Sequence, residues 1–342
     1  MPPAPSIRTT VVGSYPVPDW LLALPSEQAL VDATRVVFKT QEMAGIDVVA
    51  DGELYRFDVN HPDTNGMIDY FVRPLAGVRS MPSRTEIEEF RRLPGMGFRS
   101  APAGIVDGPV DEGTLNLPRD YRRARALTRS PLKFTLTGPH MLCKTLLDHH
   151  YPDRPALAMA LADVLAKQVE TIDPQVIQVD EANISGHSDE GDWAAAAINR
   201  VLDAATKATE RGVHVCFGNY GGQSIQKGEW KKLLAFMNRL HCDHVVLEFA
   251  FRGYDELSYF RDGLDPRIGI GLGVIDVKVN TVETPEGVAR RIETAVRAVG
   301  EGRVKWVHPD CGFWMNKRSV ADRKMEALVK GRDLFAGIGQ RT

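Results

Sequence analysis

The stretch Gly212-Val213-His214-Val215-Cys216-Phe217-Gly218-Asn219 decides how the rest of the chain is read. Val213, Val215 and Phe217 alternate with His214 and Cys216, a period of two that predicts a β-strand with one apolar face. Side chains two apart on a strand share a side, so the imidazole and the thiol point the same way. Two further apolar runs end in groups of the same kind. Val245-Val246-Leu247-Glu248 ends in a carboxylate, and Val307-His308-Pro309-Asp310-Cys311-Gly312 ends in a second thiol. One nitrogen, two sulfurs and one oxygen make the four ligands that tetrahedral Zn2+ usually takes. His-x-Cys alone is more often a buried core pair, and it is the Glu and Cys at other strand ends that tell against that reading.

The same rhythm extends in both directions. Strands are expected at Thr9–Tyr15, Ile46–Glu53, Lys133–Pro139, Val176–Glu181, the His214 run, the run ending at Glu248, Arg267–Asp276 and Val304–Val307. Helices are expected at Glu27–Ala44, Ala156–Glu170, Asp192–Glu210, Trp230–Leu240, Asp255–Arg261, Pro285–Val299 and Ser319–Leu334. Apolar strands alternating with helices predict a parallel sheet, and eight units favour an α/β fold of the (β/α)8 or TIM-barrel type over a doubly wound sheet. Gly269-x-Gly271-x-Gly273 lies inside a strand with no helix opening behind it, so it is not a nucleotide-binding signature. Residues 1–342 read as a single domain. Residues 54–130, after the second strand, break the rhythm and read as an insertion that acts as a lid or a dimer contact, with one helical fragment at Thr85–Arg92.

Composition narrows the function classes. Apolar residues make up 43% and charged residues 25%, and the formal charge of -3 argues against a nucleic-acid or anionic-membrane surface. The four cysteines Cys143, Cys216, Cys242 and Cys311 are too few and too scattered for a disulfide framework, which points to a reducing cytoplasm. Met1-Pro2-Pro3-Ala4-Pro5 lacks the pattern of a signal peptide, and no stretch approaches a membrane span. A homo-oligomer is left open.

A barrel of this kind carries its active site at the C-terminal strand ends. Gathered there are Gly13-Ser14, Asp51 and Glu53, Gly138-Pro139, Asp180-Glu181, His214 and Cys216, Glu248, Asp276 and Cys311. So many carboxylates cost several kcal/mol apiece, of the order given for buried ions, unless a metal or a cationic group partners them.

This set, with Asp51-Gly52-Glu53, Thr137-Gly138-Pro139, Val179-Asp180-Glu181 and Pro309-Asp310-Cys311-Gly312 in order, resembles the C-terminal barrel of cobalamin-independent methionine synthase. The chain is similar to short, single-barrel members. The resemblance implies zinc held by His214, Cys216, Glu248 and Cys311. It also implies a small-molecule thiol, homocysteine, whose amino group is bound by Glu53 and Asp180 and whose carboxylate is held by the Gly13-Ser14 turn. The reaction implied is methyl transfer to the thiol, giving methionine, with zinc keeping the sulfur as a nucleophilic thiolate.

Two departures bear on the donor. Where the two-barrel enzymes place a Trp against folate, this chain has His140-Met141-Leu142-Cys143-Lys144-Thr145. Where they place a proton-donating His two residues beyond the Asp of the seventh strand, Asp276 is followed by Val277-Lys278. A folate polyglutamate donor is therefore not expected. The methyl group would come from methylcobalamin, a methyl-corrinoid protein or a small methylated metabolite. Asp276 and Lys278 are the catalytic candidates at that strand end, with Lys278 steadying a developing alkoxide or binding a sulfonate, and Arg56 is a second candidate for an acidic ligand group. That leaves two alternatives: an epoxyalkane:coenzyme M transferase, in which a zinc thiolate of coenzyme M opens an epoxide, and a zinc- or thiol-binding barrel without turnover.

Overall fold

The computed structural model describes residues 7–57, 65–93, 99–219 and 223–338. The N-terminal segment read against a signal peptide, and residues 58–64 and 94–98 of the expected insertion, lie outside them.

Eight strands form one sheet: β1 (Arg8–Thr9), β2 (Val49–Ala50), β3 (Leu132–Thr137), β4 (Val176–Glu181), β5 (Glu210–Val215), β6 (His244–Leu247), β7 (Gly269–Ile275) and β8 (Val304–Pro309). Their order is β1-β8-β7-β6-β5-β4-β3-β2, every pairing is parallel, and a bridge between Thr10 and Val48 closes the ring. The fold is the (β/α)8 barrel expected from the alternation. Helices α1 (Glu27–Ala44), α2 (Leu117–Arg125), α3 (Arg154–Val169), α4 (Gly191–Ala204), α5 (Trp230–Met237), α6 (Ser258–Gly263), α7 (Pro285–Val299) and α8 (Arg318–Phe335) follow the strands in turn.

Local chemistry sets the helix ends. The Ser26 side chain accepts from the Ala29 N–H to open α1, and Gly45, at φ 85°, closes it by turning left-handed and capping the Gln41 and Glu42 carbonyls. Asp153 and Thr284 cap α3 and α7 in the same way, each with a proline in the first turn. The buried face of α1 carries Ala33, Val37 and Phe38 onto the barrel. Its Gln41 amide pairs with both backbone groups of Ala50, at 2.9 and 2.6 Å. That side chain satisfies backbone groups of β2 that a neighbouring strand would otherwise pair, in a strand that spans two of the eight residues expected.

Between β2 and α2 the chain builds a small sheet. Ala76–Arg79 pairs antiparallel with Ile105–Asp111, which pairs parallel with Leu147–Asp148 from the connection between β3 and α3. The helix Arg84–Arg91 lies between its first two strands and opens with a capping box, Ser83 and Glu86. Helix α2 lies inside the 54–130 segment and takes the position of the second barrel helix. Asn116 caps it and Pro118 opens it.

Candidate active site

At the C-terminal ends of β5 and β8, the ligand atoms of His214, Cys216 and Cys311 lie within 4.8 Å of one another. Strand β5 delivers the first two on one inward face, as the period of two requires, and β8 delivers the third. His214 Nδ1 donates to the Val246 carbonyl at 3.1 Å, which leaves Nε2 facing the cluster. Nε2 is buried without a hydrogen-bond partner. The Cys216 thiol and the His214 imidazole hold Cys311 well below the ordinary thiol range, whereas Cys216 is pushed far up by its hydrogen bond to Cys311 and by burial.

Glu248 stands just beyond β6, fully buried. Its Oε2 accepts from Lys278 Nζ at 3.2 Å, and its Oε1 is buried without a partner. Burial raises its pKa, with Lys278 opposing and Cys311 adding to the rise. The carboxylate thus faces the thiols electrostatically, although it lies outside the 4.8 Å cluster. The donor set suits Zn2+: two thiols that coordinate as thiolates, a neutral imidazole with its outer nitrogen anchored, and a carboxylate oxygen that nothing else satisfies. An orphaned buried acceptor is costly without such a partner.

Asp310, beside Cys311, organises this cluster from behind. Its Oδ1 accepts from the Phe249 and Ala250 N–H groups at 2.9 Å each, and its Oδ2 accepts from Phe251 at 2.7 Å. The segment following Glu248 is thereby tied to the segment carrying Cys311. A Cβ at Gly273 would overlap Asp310 Oδ1, which accounts for that glycine inside β7. Burial pushes the Asp310 pKa up to about 7, with Glu248 adding to the rise and the three N–H groups opposing it.

The other side of the mouth carries the second set of candidates. Glu53 is the one non-glycine among the described residues with positive φ, at 60°. Backbone held in that region costs of order 1 kcal/mol and tends to cluster at functional sites. The turn aims its carboxylate inward, where Oε1 accepts from Thr135 Oγ1 at 2.5 Å and lies 3.3 Å from Arg56 Nη1. A Cβ at Gly13 would overlap that same oxygen, so the Gly13-Ser14 turn passes directly over Glu53. Ser14 in turn meets Gly312, and the Phe313 N–H donates to the Ser14 carbonyl at 2.8 Å. Asp180, on β4 opposite His214 in register, accepts on Oδ1 from Gln178 Nε2 at 2.7 Å. Burial pushes its pKa up to about 7, with His214 lowering it and Glu53 raising it.

Other candidates are placed differently from the simplest reading. The Lys278 side chain is buried against Glu248 and Ser224 Oγ, 2.9 Å away, and lies over the Phe251 ring at 4.3 Å. The Asp276 carboxylate accepts from the Lys278 N–H at 2.8 Å and so shapes the turn that presents that lysine. Arg56 is buried, bonded to the Thr135 carbonyl at 2.5 Å and surrounded by Tyr55, Tyr70 and Phe71. Its charge is directed at Glu53, where the sequence alone offered it to an acidic ligand. Glu181 turns away from the mouth and binds the Met141, Asn183 and Ile184 N–H groups.

Two interior residues escaped the sequence reading: Lys133 and Gln178, both fully buried. The signal was present as polar residues at alternate positions, Lys133-Thr135-Thr137 and Gln178-Asp180, in strands of a type usually apolar on both faces. A third group, His140, was read only for the aromatic ring its neighbourhood lacks. It is buried between Glu181 Oε1 at 3.0 Å and Glu190 Oε2 at 2.8 Å, with Lys144 also on Glu190.

With a closed barrel and this mouth in view, the class is a thiol- and imidazole-bearing catalytic barrel. The family model described as the catalytic domain of cobalamin-independent synthase matches residues 7–332, and the chain belongs to that family. It is a transferase. A methionine synthase of Sulfurisphaera tokodaii is 28% identical over 96% of this chain and 92% of its own length. One of Thermococcus kodakarensis is 29% identical over 96% and 94%. Among solved structures, a B12-independent methionine synthase from Shewanella sp. W3-18-1, in complex with selenomethionine, superimposes with a TM-score of 0.78. It is 26% identical, covering 97% of this chain and 98% of that one. Among the described residues no helix is long and apolar enough to cross a membrane.

Proposed function

We propose that the protein transfers a methyl group to the thiol of homocysteine, making methionine, with zinc held by His214, Cys216, Cys311 and Glu248. The observation that carries this reading is the pairing of two unlike sets at one mouth: a His/Cys/Cys cluster with an unsatisfied Glu248 oxygen, and the inward carboxylates of Glu53 and Asp180. The first set suits a sulfur-activating metal and the second suits an ammonium group. Zinc, when bound, supplies the Lewis acid that lets the substrate sulfur shed its proton at neutral pH.

The chain's own residues do the rest. Glu53 and Asp180 receive the ammonium, and the turn at Gly13-Ser14, lying between Glu53 and Gly312, holds the carboxylate end. Together they fix the thiol relative to the ligand cluster, and fixed geometry is where much of the rate gain of a two-reactant step comes from. Lys278 offsets the negative charge of Glu248 and, with Asp276 shaping its turn, keeps that carboxylate close to the cluster without saturating both its oxygens. Coenzyme M, which has a sulfonate and no ammonium, would meet two carboxylates and a Lys278 already engaged.

The donor in this reading is not folate polyglutamate. The helix Pro139–Thr145 is buried throughout and offers no ring platform. Large apolar side chains stand exposed on the connections after β1 (Trp20), β5 (Ile225), β6 (Phe251), β7 (Val279) and β8 (Trp314, Met315). These strand ends are neighbours around the ring. Such a rim suits a methyl group presented by a second macromolecule, for example a methyl-corrinoid protein.

The test is proton release on mixing zinc-loaded protein with L-homocysteine and, separately, with coenzyme M near neutral pH. Release with homocysteine alone is expected, because a thiol that binds zinc as thiolate loses its proton. Release with coenzyme M alone would overturn the acceptor assignment in favour of epoxide chemistry, and release with neither would favour a barrel without turnover.

A further inference from the structure

We propose that Lys133 is a positioning residue for the substrate's ammonium group: acting through Gln178, it fixes the Asp180 carboxylate and keeps it available to a cationic ligand. The inference rests on the reading that Glu53 and Asp180 bind an ammonium, and it adds a buried arm beneath that site.

The arm is continuous. Lys133, 1% exposed, donates from Nζ to Gln178 Oε1 at 2.9 Å. Gln178, fully buried, donates from Nε2 to Asp180 Oδ1 at 2.7 Å and to the Val12 carbonyl at 2.9 Å. With its oxygen engaged by a cation and its nitrogen by two acceptors, the amide has one satisfied orientation. Gln178 therefore always presents a donor to Asp180, and the hydrogen bond lands on Oδ1.

A lysine within a closed barrel is expensive unless it faces negative charge. The charges that face it are those of Asp180 and Glu53, which oppose the fall that burial imposes on its pKa, down to about 7. His244 on β6 and His308 on β8 also face it, and burial, with Lys133 adding to it, pushes each down to about 3, so both imidazoles are neutral. Asp180 is further faced by His214 from β5 and by Arg56. Lys133 thus supplies a fixed hydrogen-bond donor below two carboxylates that receive a cation from above. A polar residue kept only for packing would not need a directed path of hydrogen bonds ending on a substrate-facing carboxylate.

The experiment compares binding of L-homocysteine with that of 4-mercaptobutanoate, which lacks the ammonium, to zinc-loaded full-length protein by calorimetric titration. The sulfur contributes to both, so the ratio isolates ammonium recognition. Wild type should prefer homocysteine by roughly tenfold to a hundredfold, the range for a hydrogen bond to a charged group. Lys133→Met and Gln178→Met, both close in volume to the native residues, should each shrink that preference by about tenfold, through weaker homocysteine binding. Zinc content and 4-mercaptobutanoate affinity should stay as in wild type. A folded variant of either kind that keeps the wild-type preference overturns the role of Lys133, as does a variant that loses both ligands equally. A wild type without preference overturns instead the reading of Glu53 and Asp180 on which the proposal rests. Lys133→Arg retains the donor and should keep the preference, and a folded Lys133→Arg that loses it with zinc content and 4-mercaptobutanoate affinity unchanged also overturns the role as stated.

Discussion

The two sides of the barrel mouth are built on opposite terms. On the β5, β6 and β8 side, His214 Nε2 and Glu248 Oε1 are buried and unsatisfied, and two thiols share one cluster in which Cys311 is held low and Cys216 is pushed up. On the β1–β4 side, the inward carboxylates are already held by the protein: Glu53 by Thr135 and Arg56, Asp180 by Gln178. The first arrangement is incomplete as protein, and in the proposed reading a bound ion completes it. The second is prearranged, so in the proposed reading an ammonium group meets a site already organised. In the proposed reading one mouth separates activating a sulfur from recognising an amino acid, and the two should be separable by mutation.

The sharpest separation comes from the metal side. Removing zinc with a chelator should lower Tm, since an ion that binds the folded state alone adds its binding free energy to stability. Cys311→Ser should weaken zinc by more than the roughly hundredfold seen for partners of ligands and abolish nearly all methyl transfer. Glu53→Gln should keep wild-type zinc content and raise KM for homocysteine. Metal titration of the two variants side by side checks this, and zinc loss in Glu53→Gln would break the division.

The recognition side should respond to pH without reference to metal. Burial lowers the His140 pKa, but Glu181 and Glu190 more than compensate and carry it up to about 9 from its ordinary 6.5. A group raised in the folded state gives stability that is complete below about 6.5 and is lost as pH rises through about 9. The loss across that window is up to about 3 kcal/mol at 1.36 kcal/mol per unit. Wild type should therefore lose stability between pH 7 and 9.5 in denaturant titrations, and His140→Gln should flatten that slope. An unchanged slope would mean the imidazole is not held as a cation.

How much of this was legible in the sequence follows from the same contrast. The metal side was readable because strand alternation alone puts His214 beside Cys216, and because Glu248 and Cys311 sit at the ends of plain apolar runs. The barrel was readable for the same reason, since parallel strands and helices carry different periods. What was lost lies where local signals serve tertiary ends. Thr9–Tyr15 and Ile46–Glu53 look like long strands, yet each pairs for two residues and then turns to build the Gly13 and Glu53 walls. No local pattern predicts a glutamate at positive φ. Helix α2 was hidden inside a charged segment, although Asn116 and Pro118 are a start signal. Lys133 and Gln178 are polar residues in largely apolar strands and mean something only once the ring closes and they face each other.

The smallest expected effect tests whether the metal side is as loosely held as its orphaned atoms suggest. Asp310 accepts three backbone N–H groups from Phe249 to Phe251, and these position the residue next to them in the chain, Glu248. Asp310→Asn keeps one oxygen and turns an NH2 group toward a donor, so at least one of the three bonds is lost. The cost should be about 1–2 kcal/mol of stability, the range for a buried group left unpaired. Zinc affinity should fall roughly tenfold, as for other partners that orient ligands from behind. Chelator competition together with denaturant unfolding distinguishes the outcomes. If stability falls and zinc affinity does not, Asp310 serves the loop alone. Glu248 then finds the metal without guidance, and the division between an improvised and a prearranged side of the mouth is sharper than the hydrogen bonds imply.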